Sequence, residues 1–302
     1  MWLDLQIFGF RALWSPIFMS FIIGLGILYF VITGPLRHRF GGDDKPTGKQ
    51  QLCFYSGLLL LYVVKGSPID LLTHIMLSAH MLQMVFYYFV FPILIIKGIP
   101  VWIWRKVLEN RFVRPIFRFV TKPLIALLMF NILFSLYHMP AIFDFSKSSQ
   151  MAHTSISIVL LVLAFIMYWP IVGPFVAKQK MMPLLKMAYL MASAAIITIS
   201  CALIIFAPNP LFDAYSSEGA WIQAMALCVP GDVLGGLPPH INGPELFSPL
   251  TIENDQQLGG IIMKIVQEAI YGVIIGKIFF SWFTKKSLEV DPLPTEAITE
   301  SH

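Results

Sequence analysis

Met76, His80 and Met84 recur at four-residue intervals in one apolar stretch, a spacing that stacks thioether, imidazole and thioether on one face of a helix. Further along, Tyr137-His138-Met139-Pro140 closes a second apolar stretch and Met151-Ala152-His153 opens a third. Only about fifteen residues join those two, so they are expected to be antiparallel neighbours with His138 and His153 at similar depth. Imidazole with thioether suits copper, Cu(I) in particular, because soft sulfur selects it over hard cations. The plainer reading is that histidines at helix ends are satisfied by water or backbone, while methionines fill gaps in a bundle. With 15 methionines in the chain, some adjacency arises by chance. His80 resists that reading, because it lies about eleven residues past Ile69, roughly 15 Å of helix. A histidine at such a depth is a functional-site candidate by default. The expected site is His80, His138 and His153 with Met84 as a fourth ligand, all around one copper ion.

Other polar residues have structural readings beside functional ones. Lys264 and Glu268 stand four residues apart on one helical face with Gln267 beside them. An ion pair that fixes packing, a proton relay and a partner contact are all open there. Asn131 reads as interhelical glue. Cys53, Cys201 and Cys228 lie in separate segments with no metal-type spacing, so neither a disulfide framework nor a zinc knuckle is indicated. The chain has no phosphate-binding glycine-lysine loop, no Gly-x-Ser-x-Gly elbow and no His-Glu-x-x-His pair. Enzymatic turnover is therefore not expected, and nucleic acid is not an expected partner.

The elements that position these residues follow from composition. Of 302 residues 57% are hydrophobic and 13% charged, with mean hydropathy +0.74, against about 25% charged in soluble domains. That excludes a soluble globular enzyme, a disordered chain and a fibre, and leaves an all-α polytopic membrane protein. Seven stretches approach the roughly 20 apolar residues a crossing requires: Ser15–Thr33, Gln51–Val64, Ile69–Ile96, Pro123–Tyr137, Ala152–Val172, Met182–Ala207 and Leu258–Phe283. The first reads as a retained span, because its basic cluster, Arg37 and Arg39, follows the apolar run and no small-x-small cleavage site ends it. Taking alternate loops, sixteen lysines and arginines fall on one side and three, Arg11, Lys65 and Lys147, on the other, with Lys264 and Lys277 inside the last span. Positive charge marks the cytoplasmic side, so the amino terminus is expected outside and the carboxyl terminus inside.

That topology sorts the histidines. His38 and His302 fall inside, whereas His74, His80, His138, His153 and His240 all fall in the outer half. Trp102 and Trp104 beside five arginines and lysines suit the stretch from Val101 to Val120 to the headgroup layer. The outer loop over 208–257 carries no lysine or arginine, six acidic residues and many prolines and glycines, which argue against another span. No internal repeat is visible, which weakens the case for a two-fold transporter fold. The domain reading is a seven-helix transmembrane domain over 1–286, including that outer loop, followed by a short cytoplasmic tail over 287–302.

Several segments together resemble a known family: Ser78-Ala79-His80-Met81-Leu82-Gln83, Tyr137-His138-Met139-Pro140 with Asp144, His153, and Asp255-Gln256-Gln257-Leu258-Gly259-Gly260-Ile261-Ile262-Met263. The family is the polytopic CtaG group of cytochrome c oxidase assembly factors of Gram-positive bacteria, distinct from the single-span copper chaperone that shares the name. The resemblance covers nearly the whole chain, and Asp255 to Gly260 is its most specific element. It implies a chaperone-like role in oxidase maturation at the cell membrane through copper insertion or handling at the outer face, with cytochrome c oxidase subunits and membrane lipid as partners. Many members carry a second histidine four residues after the positions matching His80 and His153; here Met84 and Ser157 stand there, and serine is a poor soft ligand. Two other classes compete, a transporter of copper or another ion lined by Lys264, Glu268 and Asp255, and a b-type haem protein ligated by His80 and His153. The sequence leaves the oligomeric state open, a homodimer included.

Overall fold

A computed structural model describes residues 5–42, 44–175, 181–236, 243 and 247–288. All regular structure among them is helical, because a backbone in hydrocarbon must satisfy its own polar groups. The main helices are α1 (Pro16–Thr33), α2 (Gly48–Gly66), α3 (Pro68–Ile75), α4 (Leu77–Gly98), α5 (Val101–Leu108), α6 (Val113–Val120), α7 (Pro123–Tyr137), α8 (Pro140–Ser148), α9 (Gln150–Val172), α10 (Pro183–Ile205), α11 (Asp213–Ser216), α12 (Glu218–Met225) and α13 (Ile252–Leu288). Five segments are long and apolar enough to cross a membrane, Gln6–Thr33, α4, α9, α10 and α13 up to Thr284. The number is seven if the bent pairs α2–α3 and α6–α7 each count as one crossing.

α13 is packed between α10 and α4, α2 lies along the second half of α4, and α7 rests on α9 and α10. Asn131 is glue as expected, since its Oδ1 accepts from Ser193 Oγ on α10 at 2.8 Å. The oxygens of Ser193 and Tyr271 on α13 are also 2.8 Å apart, which joins three helices in the buried interior. Lys264 and Glu268 form the expected ion pair, and Lys264 Nζ also donates to Thr198 Oγ1 at 2.6 Å, tying α13 to α10.

Three expectations are corrected. The stretch Ile69–Ile96 is not one helix. Pro68 bars helical geometry at Ser67, whose Oγ caps the new helix by accepting from Ile69 N, so α3 bends 45° away from α2. The chain then breaks again at Met76, which is extended (φ −129°, ψ 138°). Met76 is therefore off the helix that carries His80 and Met84, and the three-residue stripe does not form. His80 stands one turn from the start of α4, so the helix expected to run unbroken from Ile69 to it is interrupted.

The second correction concerns the outer loop. Its described part folds into α11, α12 and a turn at Gly231–Gly235, and residues from Ile252 already belong to α13. Trp221, Met225, Val229 and Phe247 are buried against Leu5, Phe8, Leu71 and Ile75, so this segment is a packed cover. The third is Lys147, counted above among loop charges, whose side chain is only 1% exposed. His240, Lys178, Lys180 and the tail over 289–302 lie outside the described residues.

Candidate functional site

The site begins with the cap of α4. Met76 offers no side-chain cap, and the first N–H groups of a helix have no partner within it. Asp255, 178 residues further along, supplies one: its Oδ2 accepts from Leu77 N at 2.7 Å and Ser78 N at 3.4 Å, and its Oδ1 accepts from Ser78 Oγ. A carboxylate there also meets the positive end of the helix dipole. The glycines after it allow the approach. A Cβ on Gly259 would stand 3.2 Å from the Ser78 backbone, and one on Gly260 would stand 2.7 Å from Ile205 on α10. Gln256 Oε1 accepts from Leu211 N at 2.7 Å, which fixes the start of the cover. The Asp255–Gly260 segment thus sets where His80 stands.

His80 is 2% exposed and His138 5% exposed. The His80 ring meets Phe143 edge-on at 5.2 Å between centroids, and its Nε2 lies 3.5 Å from Tyr137 Oη. Its Nδ1 is buried without a partner. His138 sits just past the end of α7, where its Nδ1 lies 2.7 Å from Phe134 O. A carbonyl only accepts, so the proton is on Nδ1 and the lone pair is on Nε2, and this Nε2 is also buried without a partner. Metal-bound imidazoles generally have that arrangement, one nitrogen tied to a carbonyl and the other turned to the ion.

His153 lies beside a fourth histidine. Its ring lies 5.7 Å from that of His74 on α3, and its Nδ1 is 3.5 Å from Ser146 Oγ. Met84 is buried in the apolar core one turn beyond His80. His138, His153, Lys147 and Lys65 all lie close enough to His80 to act on it electrostatically. Even so, no three His, Cys, Asp or Glu side chains among the described residues are gathered in a way that could hold a metal ion. Two ring nitrogens, His80 Nδ1 and His138 Nε2, are left without a hydrogen-bond partner.

Two residues not counted as ligands belong to the cluster. Lys147 Nζ on α8 donates to Thr73 O and lies beside His74 Nδ1, each at 3.4 Å. Burial, then repulsion from Lys65, pulls this amine down to about 7. Lys65 is 3.5 Å from Asp70 and donates to Gln83 Oε1 at 3.0 Å, while Gln83 Nε2 donates to Asp70 at 2.8 Å. A signal for them was in the sequence, since Lys65 and Lys147 are two of the three cations that break the charge asymmetry. The cover closes over the cluster through Tyr215, whose hydroxyl donates to Thr73 O at 2.6 Å. Asp144 accepts from the Asp213 and Ala214 N–H groups at 3.2 and 3.1 Å, and burial raises its carboxyl above the usual range despite those bonds.

Residues 27–285 match the family described as cytochrome c oxidase caa3 assembly factor (Caa3_CtaG). No curated protein and no solved structure matches the chain.

Proposed function

The chain belongs to the cytochrome c oxidase caa3 assembly factor family, and from that premise we propose that it handles copper for the oxidase as cargo, without enzymatic turnover. His80 and His138 are the core ligands, and His153 and Met84 complete the set as the ion is taken up or passed on. The chain crosses the plasma membrane seven times with the amino terminus outside, so the cluster faces the outer side, and the covering segment over 208–257 meets the oxidase subunits. The observation that carries this reading is His138: its Nδ1 proton is committed to Phe134 O and its Nε2 is buried with no partner. A desolvated lone pair of this kind is costly, and a soft cation removes the cost. For a bound ion the residues nearby have distinct parts. Phe134 O fixes the His138 tautomer, Phe143 and Tyr137 exclude water, and the fall of Lys147 towards neutrality lowers repulsion of a cation.

Deleting the gene should leave oxidase polypeptides in the membrane with their copper content and activity lost, and a His138→Ala copy should fail to restore either. Oxidase of normal activity in the deletion strain would sink the assembly role in this cell. If the purified His80→Ala and His138→Ala proteins retain Cu(I) as the parent does, the ligand assignment is wrong whatever the strain shows.

A further inference from the structure

The apolar interior of the protein is divided. One cluster joins Leu5, Phe8, Leu71, Ile75, Trp221 and Met225, which come from residues 5–14, α3 and α12. Val64, Leu77 and Tyr215, which flank those elements in the chain, belong instead to the core of the bundle, and of the buried apolar residues of α12 only Ala224 reaches that core. α1 packs through Ile22 and Tyr29 in a third cluster with Phe54 and Leu58. Residues 5–14, α3 and α12 thus form a small outer lobe with an apolar centre of its own.

At four places where the chain passes between lobe and bundle, one non-helical residue separates two helices. Ser15 is left-handed (φ 37°, ψ 65°) between Gly9–Trp14 and α1. Ser67 (φ −105°, ψ 174°) divides α2 from α3, Met76 (φ −129°, ψ 138°) divides α3 from α4, and Ser217 (φ −111°, ψ 133°) divides α11 from α12. A break by itself only bends a helix. Here the apolar cluster changes at the same residues as the helix, so turning about these few dihedrals leaves both apolar centres whole. The contacts across the boundary are of a kind that water can replace. Thr73 O on α3 accepts from Tyr215 Oη at 2.6 Å and from Lys147 Nζ at 3.4 Å, Gln223 Nε2 on α12 donates to Ser148 O on α8 at 3.0 Å, and Asp70 on α3 meets Lys65 at 3.5 Å and Gln83 at 2.8 Å. Polar interfaces between bodies with separate cores permit relative motion.

We propose that the lobe swings as one body on Ser15, Ser67, Met76 and Ser217, and that this uncovers the closed face where His74 meets Lys147 and His153. His74 is 3% and Lys147 1% exposed, so neither meets solvent while the lobe is seated. That the opening serves cargo rests on the function proposed above; the motion itself does not, and it is read without metal.

Diethyl pyrocarbonate acylates accessible imidazoles, and its rate at His74 relative to the exposed His38, followed by peptide mass spectrometry, measures the opening in the full-length, metal-free protein. Y215F/Q223A removes two side-chain bonds across the boundary and should raise the His74 rate about tenfold. Gln223→Ala alone, should the double variant not fold, should raise it about twofold. Bridging S148C/Q223C with a short bismaleimide fastens α12 to α8. Because the lobe moves as one body, the bridge should slow acylation of His74 on α3 several-fold against the same variant capped with N-ethylmaleimide. Cys201, 1% exposed in the bundle core, should stay unlabelled by N-ethylmaleimide throughout. A His74 rate that neither the substitutions nor the bridge alters, or Cys201 labelling that rises in step with it, would overturn the hinged lobe.

Discussion

Lys147 has for neighbours a carbonyl and an imidazole where a buried ammonium needs a carboxylate. Its proton is therefore held less tightly in the folded protein, at about 7, than in the unfolded chain, at about 10.4. Between those values the unfolded state binds the extra proton, so stability rises with pH across that window, and the full cost of the charge is felt below pH 7. Thermal unfolding of the purified protein should show this rise from pH 7 towards pH 10. In Lys147→Met the rise should be absent and stability at pH 7 higher. A wild-type profile that falls over this range would mean the amine is charged and paired. His80 and His138 are buried, each with one ring nitrogen that has no partner, so the cluster as folded is the less stable for its chemistry.

α4 and α13 depend on each other. Removing the Asp255 carboxylate leaves two buried N–H groups at the head of α4 without an acceptor, at a cost of about 1–3 kcal/mol each. Asp255→Ala should therefore lower stability and weaken copper retention at His80 together, and Asp255→Asn, which keeps one acceptor oxygen, should recover part of both. If Asp255→Ala loses stability but holds copper unchanged, the cap does not position His80. The glycines of α13 supply a matched pair. A Cβ at Gly260 would lie 2.7 Å from Ile205, whereas one at Gly272 meets nothing within 4 Å. Gly260→Ala should force α13 off α10 and lower the melting temperature, and Gly272→Ala should leave it equal or higher.

For the whole molecule, the two ends of the bundle are chemically different. One end gathers four of the seven histidines under a packed cover. The other carries Lys97, Lys186 and Lys277 and, across the bundle, the helices α5 and α6. α6 turns 77° from α7, and the exposed Phe112 just before it and Ile116 and Phe119 on it alternate with Arg114 and Arg118, a pattern suited to the headgroup layer. The positive excess on this side predicts its orientation. A reporter that works only in the cytoplasm should be active when fused after His302 and inactive when inserted in the segment over 208–257; the reverse pattern would invert the protein.

The sequence by itself determined the all-helical membrane architecture, because apolar run length and lysine placement are local quantities that hydrocarbon and membrane charge act on directly. It determined the helix ends at Pro123, Pro183 and Pro68 within a few residues, since proline suits the first turn and excludes helix before it. It also singled out His80, His138, His153, Met84 and Asp255–Gly260 as candidates. The tertiary structure alone decided where they stand. Period and spacing predicted that Met76, His80 and Met84 share a stripe, but the helix restarts after Met76 under the cap of a carboxylate 178 residues beyond Leu77, a contact no local pattern encodes. His153 was expected beside His138 because a short connection joins their helices; that connection holds the helix α8, which carries Lys147, and the His153 ring stands 5.7 Å from that of His74. Lys147 read as a loop charge by position, and Tyr215 as part of the outer loop. Both joined the cluster only when α11 and α12 packed against α3 and α8, where burial pulls the lysine down to about 7.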